Sequence, residues 1–527
     1  MTGMVVAPHA LAAEAGADVL REGGNAAEAT VAIAAALAVV YPHMTGLGGD
    51  AFWLLAAPDD PVLAVDGAGR TPAGLTRERY AGLEAIPHRG PLAANTVAGA
   101  VSAWQGALEI GHGRWGGRLP LARLLEAAIH HAEAGFATSA SQSRTTDAKL
   151  AELAEQPGFA EVYLNGGRAP AADARFAQPA LGATLRRLAE AGPDDFYRGE
   201  LAESIAADLA GIGSPVTRAD LAVHHVQIAE PLALRLGGLL PPGTMFTTGP
   251  PTQGLATLML LGQYAYRDGT VALDQEVDYV HFLVEATKEA FALRDELIRD
   301  PEDMGDIDLE PLLAPHALNR QAGVIDMDRA VPWFGGSAAD TTWFGAIDAE
   351  GRAASAIQSL YHEFGSGVVL PGTGLCWQNR GASFVLAPGH TRSLRGGRKP
   401  FHTLCPSLLR LSDGRTLVCG TMGGEGQPQT QAAVLTRHLT RGYDLEAAID
   451  APRWLLGRTW GANSDTLKLE SRFDAGLVEA LRERGHPVEV FGDYEEMMGH
   501  AGAIARGPDG EISGAADPRG DGAALTG

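Results

Sequence analysis

Three cysteines, Cys376, Cys405 and Cys419, are all that 527 residues contain. So few exclude a disulfide framework, and their spacing fits no metal-ligand pattern, which leaves buried thiols as the expectation. The N-terminal stretch MTGMVVAPHALAAEAG has no basic start and no long apolar segment. No secretory leader is therefore expected, and a cytoplasmic location is. Long apolar runs are also missing. The longest, residues 30–41, stops at Pro42 and is too short to span a bilayer, so it reads as a buried helix. Positive charge is scarce: 41 Lys and Arg stand against 64 Asp and Glu, a net −23. That balance excludes nucleic acid or an anionic membrane as the main partner. Disorder is excluded by a hydrophobic content of 46% with 20% charged residues.

What is present reads as helical first and alternating later. Residues 10–21 form an amphipathic run that stops at Gly23-Gly24, and Asn25 is an N-cap for a helix reaching about Tyr41. A strand comes next over 51–57, and helices are expected near 118–134, 180–191, 199–211, 253–265 and 277–299. Residues 299–340 are acidic, Pro-broken and end in small residues, as in an exposed, mobile connection. Beyond it TTWFGAID, RAASAIQSL, ASFVLA, PSLLRL and TLVCG read as strands, then helices near 427–440, 444–451 and 473–485, then VEVFG and AGAIAR as strands. Residues 341–527 hold 18 basic and 21 acidic residues, so about −20 of the net −23 falls before Thr341.

Asp340-Thr341-Thr342 lies where that small-residue stretch becomes a strand. Thr is β-branched and commonly opens strands, so a purely structural role is one reading. The other is an N-terminal nucleophile, in which the Thr341 hydroxyl attacks the Asp340 carbonyl and the ester is hydrolysed. The amine so freed has a pKa of about 7.7–8.0 and sits on the residue whose hydroxyl it would activate. Such chemistry needs oxyanion donors, and Gly423-Gly424 in GTMGGEGQPQ offers two backbone N–H groups between a strand and a helix. An ordinary turn before a helix is the alternative there. Neither GLGGD nor GGEG has full phosphate-loop spacing.

With these segments in view, the chain resembles the γ-glutamyltransferase superfamily over nearly its whole length. The resemblance is carried by GGNAAEATVAIAAALAVVYPHMTGLGGDAF, FYRG, TRADL, PPTQG, HFLVEATKEAFALRD, DTTWFGAIDAEGRAAS, GRKPFHTLCPS and TMGGEGQPQTQ, in family order. It implies a four-layer α/β/β/α N-terminal nucleophile (Ntn) hydrolase fold. Length alone suggests roughly three to four domains, whereas the resemblance implies one composite domain cut once. The products would be a large segment 1–340 and a small segment 341–527, held as a heterodimer of roughly 35 and 20 kDa by length proportion. By the same resemblance Thr341 is nucleophile and base, Ser359 holds the family's second hydroxyl position, and Gly423 and Gly424 form the oxyanion hole.

The family's glutamyl contacts do not carry over. Its carboxylate-binding Arg position is Ala68 here, with Arg70 two residues on. His402-Thr403 replaces a Ser-Ser pair, Tyr361 replaces an Asn, and Arg380 and Ser383 replace a Gln and an Asp, while Asn379 is retained. An anionic partner for an ammonium is exchanged for a guanidinium, which favours a carboxylate. YHEFGSGVVLPGTGLCWQNRGASF and PRWLLGRTWG are similar to the oxamate amidohydrolase branch. The expected reaction is hydrolysis of a small carboxylate-bearing amide, with Arg380, Tyr361, Asn379, His402, Thr403 and Arg70 as candidate substrate contacts. Alternatives are γ-glutamyl transfer or glutathione hydrolysis, a cephalosporin-acylase-like amidase, and an uncleaved binding protein without catalysis. No cofactor is required. No metal is expected either, since His43, His281, His362 and His402 lack HExxH-type spacing and His130-His131 face different directions on a helix.

Overall fold

Capping chemistry sets the first two helices. The structure is a computed structural model that describes residues 3–269, 271–333, 340–457 and 464–527. Ala10–Arg21 is followed by Ala26–Val40, whose N-cap is Asn25. The Asn25 side chain accepts from the Ala27 and Glu28 N–H groups at 3.0 Å, and Glu28 accepts the Asn25 N–H at 2.8 Å. This reciprocal box satisfies donors that the first turn would otherwise leave open. Every residue of Ala26–Val40 is buried, as a run apolar on all sides requires. Among the described residues no helix is long and apolar enough to cross a membrane.

Two antiparallel sheets form the centre. One has seven strands in the order Ala523–Thr526, Met4–Ala7, Asp340–Ile347, Ala353–Tyr361, Asp50–Ala56, Leu63–Asp66, Gln227–Ala229. The other has six, in the order Ile512–Ala516, Ala501–Arg506, Thr416–Thr421, Ser407–Leu411, Gly243–Thr247, Leu232–Leu236. Each sheet mixes strands from before and after Thr341.

Period-two alternation divides the side chains among three cores. Phe344 and Ala346 join Val31, Leu37, Trp53 and Trp104 between the seven-stranded sheet and its helices. Trp343 and Ile347 point the other way and meet Phe52, Leu54, Leu408, Val418 and Ile504 between the sheets. Leu409 and Leu417 pack beyond the second sheet on Leu258, Phe282, Phe291 and Leu435, from Gly254–Tyr266, Glu276–Leu297 and Gly426–Thr440. Thr341 shares the parity of Trp343 and so faces the second sheet. Trp343 is seated tightly: its indole N–H donates to Ser355 Oγ at 2.9 Å. A Cβ at Gly420 or Gly502 would lie 2.1 or 2.3 Å from the indole, so those two glycines let the sheets approach where the Thr341 strand begins.

Two expectations fail. The stretch after residue 299 is not simply exposed: it forms the helix Pro315–Gly323, and Met304, Leu309, Leu313 and Leu318 enter the third core. Its apolar residues are too sparse to show a period among the acidic ones. Residues 334–339 of that stretch, and 458–461 of PRWLLGRTWG, lie outside the described residues. ASFVLA is not a strand. Arg380–Ser383 is a 3-10 turn, and Phe384 packs with Leu75, Tyr80, Ile86 and Leu394 in a small loop core that satisfies the same apolar pattern.

Candidate active site

Thr341 is fully buried in Asp340–Ile347. Its hydroxyl oxygen accepts from Gln427 Nε2 at 3.1 Å, and Gln427 Oε1 accepts the Cys405 N–H at 3.1 Å. Gln427 thus orients the hydroxyl from the first turn of Gly426–Thr440. Opposite Thr341 the ladder is irregular: Thr342 pairs with Gln358 and Asp340 with Tyr361, leaving Ser359 and Leu360 in a bulge. Bulges re-aim side chains. Here the Ser359 hydroxyl accepts the Tyr361 N–H at 2.8 Å. Tyr361 is held at φ 86°, a region a bulky residue rarely occupies.

The Gly423-Gly424 loop joins strand Thr416–Thr421 to that same helix. Both glycines have positive φ, 107° and 53°. Among the described residues neither N–H donates to another protein group. Their carbonyls are fixed: Gly423 O accepts the Gly426 N–H at 2.7 Å, and Gly424 O accepts from Gln253 Nε2 at 2.7 Å. Gln253 also donates to Thr403 O at 2.7 Å and accepts from Arg294 Nη1 at 3.0 Å. Arg294, itself buried, donates to Glu425 at 2.9 Å. Within one peptide plane a pinned carbonyl turns the next residue's N–H to the opposite side: Gly423 O does so for the Gly424 N–H, and Met422 O, which accepts from Thr421 Oγ1 at 2.8 Å, for the Gly423 N–H, beside the positive end of a helix.

Arg380 completes the group. It is 1% exposed, yet its only protein hydrogen bond among the described residues is a long one, Nη1 to Thr403 Oγ1 at 3.4 Å. Nε and Nη2 have no acceptor. Its guanidinium lies 4.0 Å from the centre of the Tyr361 ring. Burial pulls its pKa down to about 10, opposed by Tyr361 and Asp50. His402 is fully buried on the edge of the Phe52 ring, and neither nitrogen has a hydrogen-bond partner among the described residues. Burial, then Arg380 and Lys399, hold it well below the ordinary histidine pKa. Asp50, which no motif had singled out, is fully buried beside it, its Oδ2 3.5 Å from His402 Nε2. Only its place after GLGG at the head of a strand marked it in the sequence.

Two expected contacts are engaged elsewhere. Arg70 donates to Asp300 and Gly397 O, both at 3.0 Å, and pairs with Glu302 at 2.7 Å. Asn379 accepts the His362 N–H at 3.1 Å and donates to His88 O at 2.8 Å, so both ends of its amide hold loops together. Ser383 donates to Phe401 O at 3.1 Å. All three cysteines are free and buried. His281, Glu285 and His486 bring ligand-type atoms within 4.8 Å of one another, a grouping the sequence spacing did not reveal. Lys288 already donates to Glu285 at 2.5 Å, and His281 and His486 hydrogen-bond at 2.7 Å, while His486 Nδ1 has no hydrogen-bond partner among the described residues.

A buried hydroxyl at a strand head, open N–H groups from a fixed loop and an unpaired guanidinium suit acyl transfer from a carboxylate-bearing amide. The chain matches the family described as Gamma-glutamyltranspeptidase over residues 12–527. It is 53% identical to the oxamate amidohydrolase proenzyme of Klebsiella pneumoniae subsp. pneumoniae, over 99% of this chain and 98% of that one. It is 41% identical to the glutathione hydrolase-like YwrD proenzyme of Bacillus subtilis, over 99% and 98%. A cephalosporin acylase from Bacillus halodurans has a TM-score of 0.88 at 32% identity, covering 99% of this chain and 95% of that one. This chain therefore belongs to the γ-glutamyltranspeptidase family, with a mixed α/β fold. It is an amide hydrolase/acyltransferase of that family.

Proposed function

We propose that the chain cleaves itself between Asp340 and Thr341 and then hydrolyses a small carboxylate-bearing amide, oxamate in the first instance, to the dicarboxylate and ammonia. The observation that carries the reading is Arg380, a buried guanidinium with two nitrogens that no acceptor among the described residues takes. A ligand carboxylate supplies the missing acceptors in bidentate geometry. Tyr361, His402 and Thr403 bound that ligand; Arg70 and Asn379, committed elsewhere, take supporting places. The name of the Klebsiella relative gives the same substrate.

In this reading the fragments 1–340 and 341–527 remain one heterodimer in a four-layer α/β/β/α arrangement, supported by the three successive cores. The Thr341 α-amine takes the proton from Oγ as Oγ attacks the amide carbon. The N–H groups of Gly423 and Gly424 receive the oxyanion, with Ser359 beside the amine. The amine returns the proton to the leaving nitrogen, which departs as ammonia. Water then attacks the ester by the same route, releasing the dicarboxylate and restoring Thr341.

The test is ammonia release from oxamate beside release from a chromogenic γ-glutamyl anilide and an acyl amide without a carboxylate. Turnover of oxamate is expected. Strong turnover of the anilide or the neutral amide with none of oxamate overturns the assignment.

A further inference from the structure

Asp50 opens strand Asp50–Ala56 and pairs in register with Ser359. Its two oxygens are treated differently. Oδ1 accepts from the Gly69 and Gly99 N–H groups, each at 3.0 Å, and from Gln378 Nε2 at 3.1 Å. Oδ2 accepts from no donor among the described residues and faces His402. Five polar atoms without partners thus belong to three buried neighbours: Asp50 Oδ2, His402 Nδ1 and Nε2, and Arg380 Nε and Nη2. Unpartnered polar atoms are rare in native interiors and point to a missing ligand.

Charge then sets a condition on that ligand. Among the described residues Arg380 is the cation that acts on Asp50, and no ion pair joins the two. With both ionised, a carboxylate arriving at Arg380 leaves one uncompensated negative charge in a fully buried site, which is costly. With Asp50 protonated, Arg380 and the ligand form a neutral pair. Among the described residues the neighbours do not supply a second cation. His402 is held neutral by burial, Lys399 is tied to Asp66 and Gln227, and the Tyr197 hydroxyl is tied to Ala98 O and the Ser102 N–H.

We propose that Asp50 takes up one proton when a carboxylate binds at Arg380, so that the pocket recognises the anion and a proton together. The Oδ2–H donates to His402 Nε2, which fixes the tautomer with the hydrogen on Nδ1 and leaves that N–H for the ligand. Asp50 is thus a positioning residue acting through His402. Burial, opposed by Gly69, Arg380, Gln378 and Gly99, pushes its pKa up to about 7, near where such uptake is possible at working pH. The proposal rests on reading Arg380 as a carboxylate receptor.

The experiment is calorimetric titration of the cleaved enzyme with oxalate and, separately, malonate, in buffers of differing ionisation enthalpy from pH 6 to 8.5. Uptake approaching one proton per site is expected above pH 7, with affinity falling toward tenfold per pH unit there. In Asp50→Asn, which keeps an oxygen for Gly69 and Gly99, the uptake and the pH dependence should vanish. An infrared difference spectrum of the wild-type enzyme should gain a protonated-carboxyl stretch on binding, a readout that needs no variant. Oxalate binding without uptake or without the new band overturns the proposal and leaves the oxamate assignment standing. Uptake on malonate with no turnover of oxamate supports the proposal and overturns that assignment. No binding of either dicarboxylate overturns both.

Discussion

Arg380→Met separates function from stability with opposite signs. In the free protein the guanidinium is buried with no counterion in contact among the described residues, and its pKa falls from 12.5 to about 10. At about 1.36 kcal/mol per unit this is a cost of about 3 kcal/mol at neutral pH. The folded value lies below the unfolded one, so the cost is present at every pH below 10 and relieved only above it. Stacking on Tyr361 returns about 1–2 kcal/mol. Methionine fills similar space without the charge, so the free enzyme should gain about 1–2 kcal/mol.

Activity should move the other way. Two charge-assisted hydrogen bonds to a substrate carboxylate are worth about 1.5–3 kcal/mol each. Their loss lowers kcat/KM by about 10²–10⁴-fold for oxamate, and leaves a neutral amide of similar size little changed. Denaturant midpoints and ammonia-release kinetics on the two substrates check both halves. A fall of less than about tenfold on oxamate, or an equal fall on both amides, refutes Arg380 as the carboxylate receptor. A clear loss of stability refutes the claim that its charge is unpaired in the free enzyme.

Thr341→Ala should leave a single 55.0 kDa band on a denaturing gel and no amidase activity; two fragments would remove Thr341 from cleavage. Gln427→Leu deletes the amide donor on the Thr341 hydroxyl and should lower kcat by about 10–100-fold while KM holds; unchanged kinetics would make that contact incidental. Arg294→Met releases Gln253 and Glu425 and should cost about 3–5 kcal/mol of stability, with slower turnover as the Gly423-Gly424 loop loses its support. Asp50 carries a raised pKa, so the folded state holds a proton that the unfolded state releases between about 3.8 and 7, and stability falls as pH rises through that window. Asp50→Asn should remove up to about 4 kcal/mol of that pH dependence, read as a Tm advantage over wild type that grows from pH 4 to 7.

Legibility tracked the range over which each signal acts. Local chemistry was plain: Asn25 announced its helix, and TTWFGAID and RAASAIQSL announced the strands that carry Thr341 and Ser359. Short strands such as Met4–Ala7 and Ala523–Thr526 were not, because four residues hold no period and become strands only by pairing across the whole chain. The site divided in the same way. Thr341 and the glycine pair are contiguous motifs. Gln253, Arg294 and Glu425 act through contacts between segments far apart in sequence, and Asp50 matters because Gly69, Gly99, Gln378 and His402 converge on it. Arg70 looked suitable by proximity in sequence to Ala68, but Asp300 and Glu302 hold it.

The burial of Thr341 also bears on the route of the proposed cleavage and on the fate of the two fragments. The residue is fully buried, its strand is bonded to Ala353–Tyr361 on one side and Met4–Ala7 on the other, and its hydroxyl is already held by Gln427. An external protease would need that strand stripped from the centre of a seven-stranded sheet before its active site could reach the bond. A hydroxyl one atom from its own backbone needs no such opening, so attack from within is the route the packing leaves. The same interleaving decides the outcome. After the cut, Met4–Ala7 still pairs with Asp340–Ile347 and Ala523–Thr526, Asp50–Ala56 with Ala353–Tyr361, and Gly243–Thr247 with Ser407–Leu411. Separating the fragments would break both sheets at once. Cleavage therefore frees one amine at the site while costing the fold a single covalent bond.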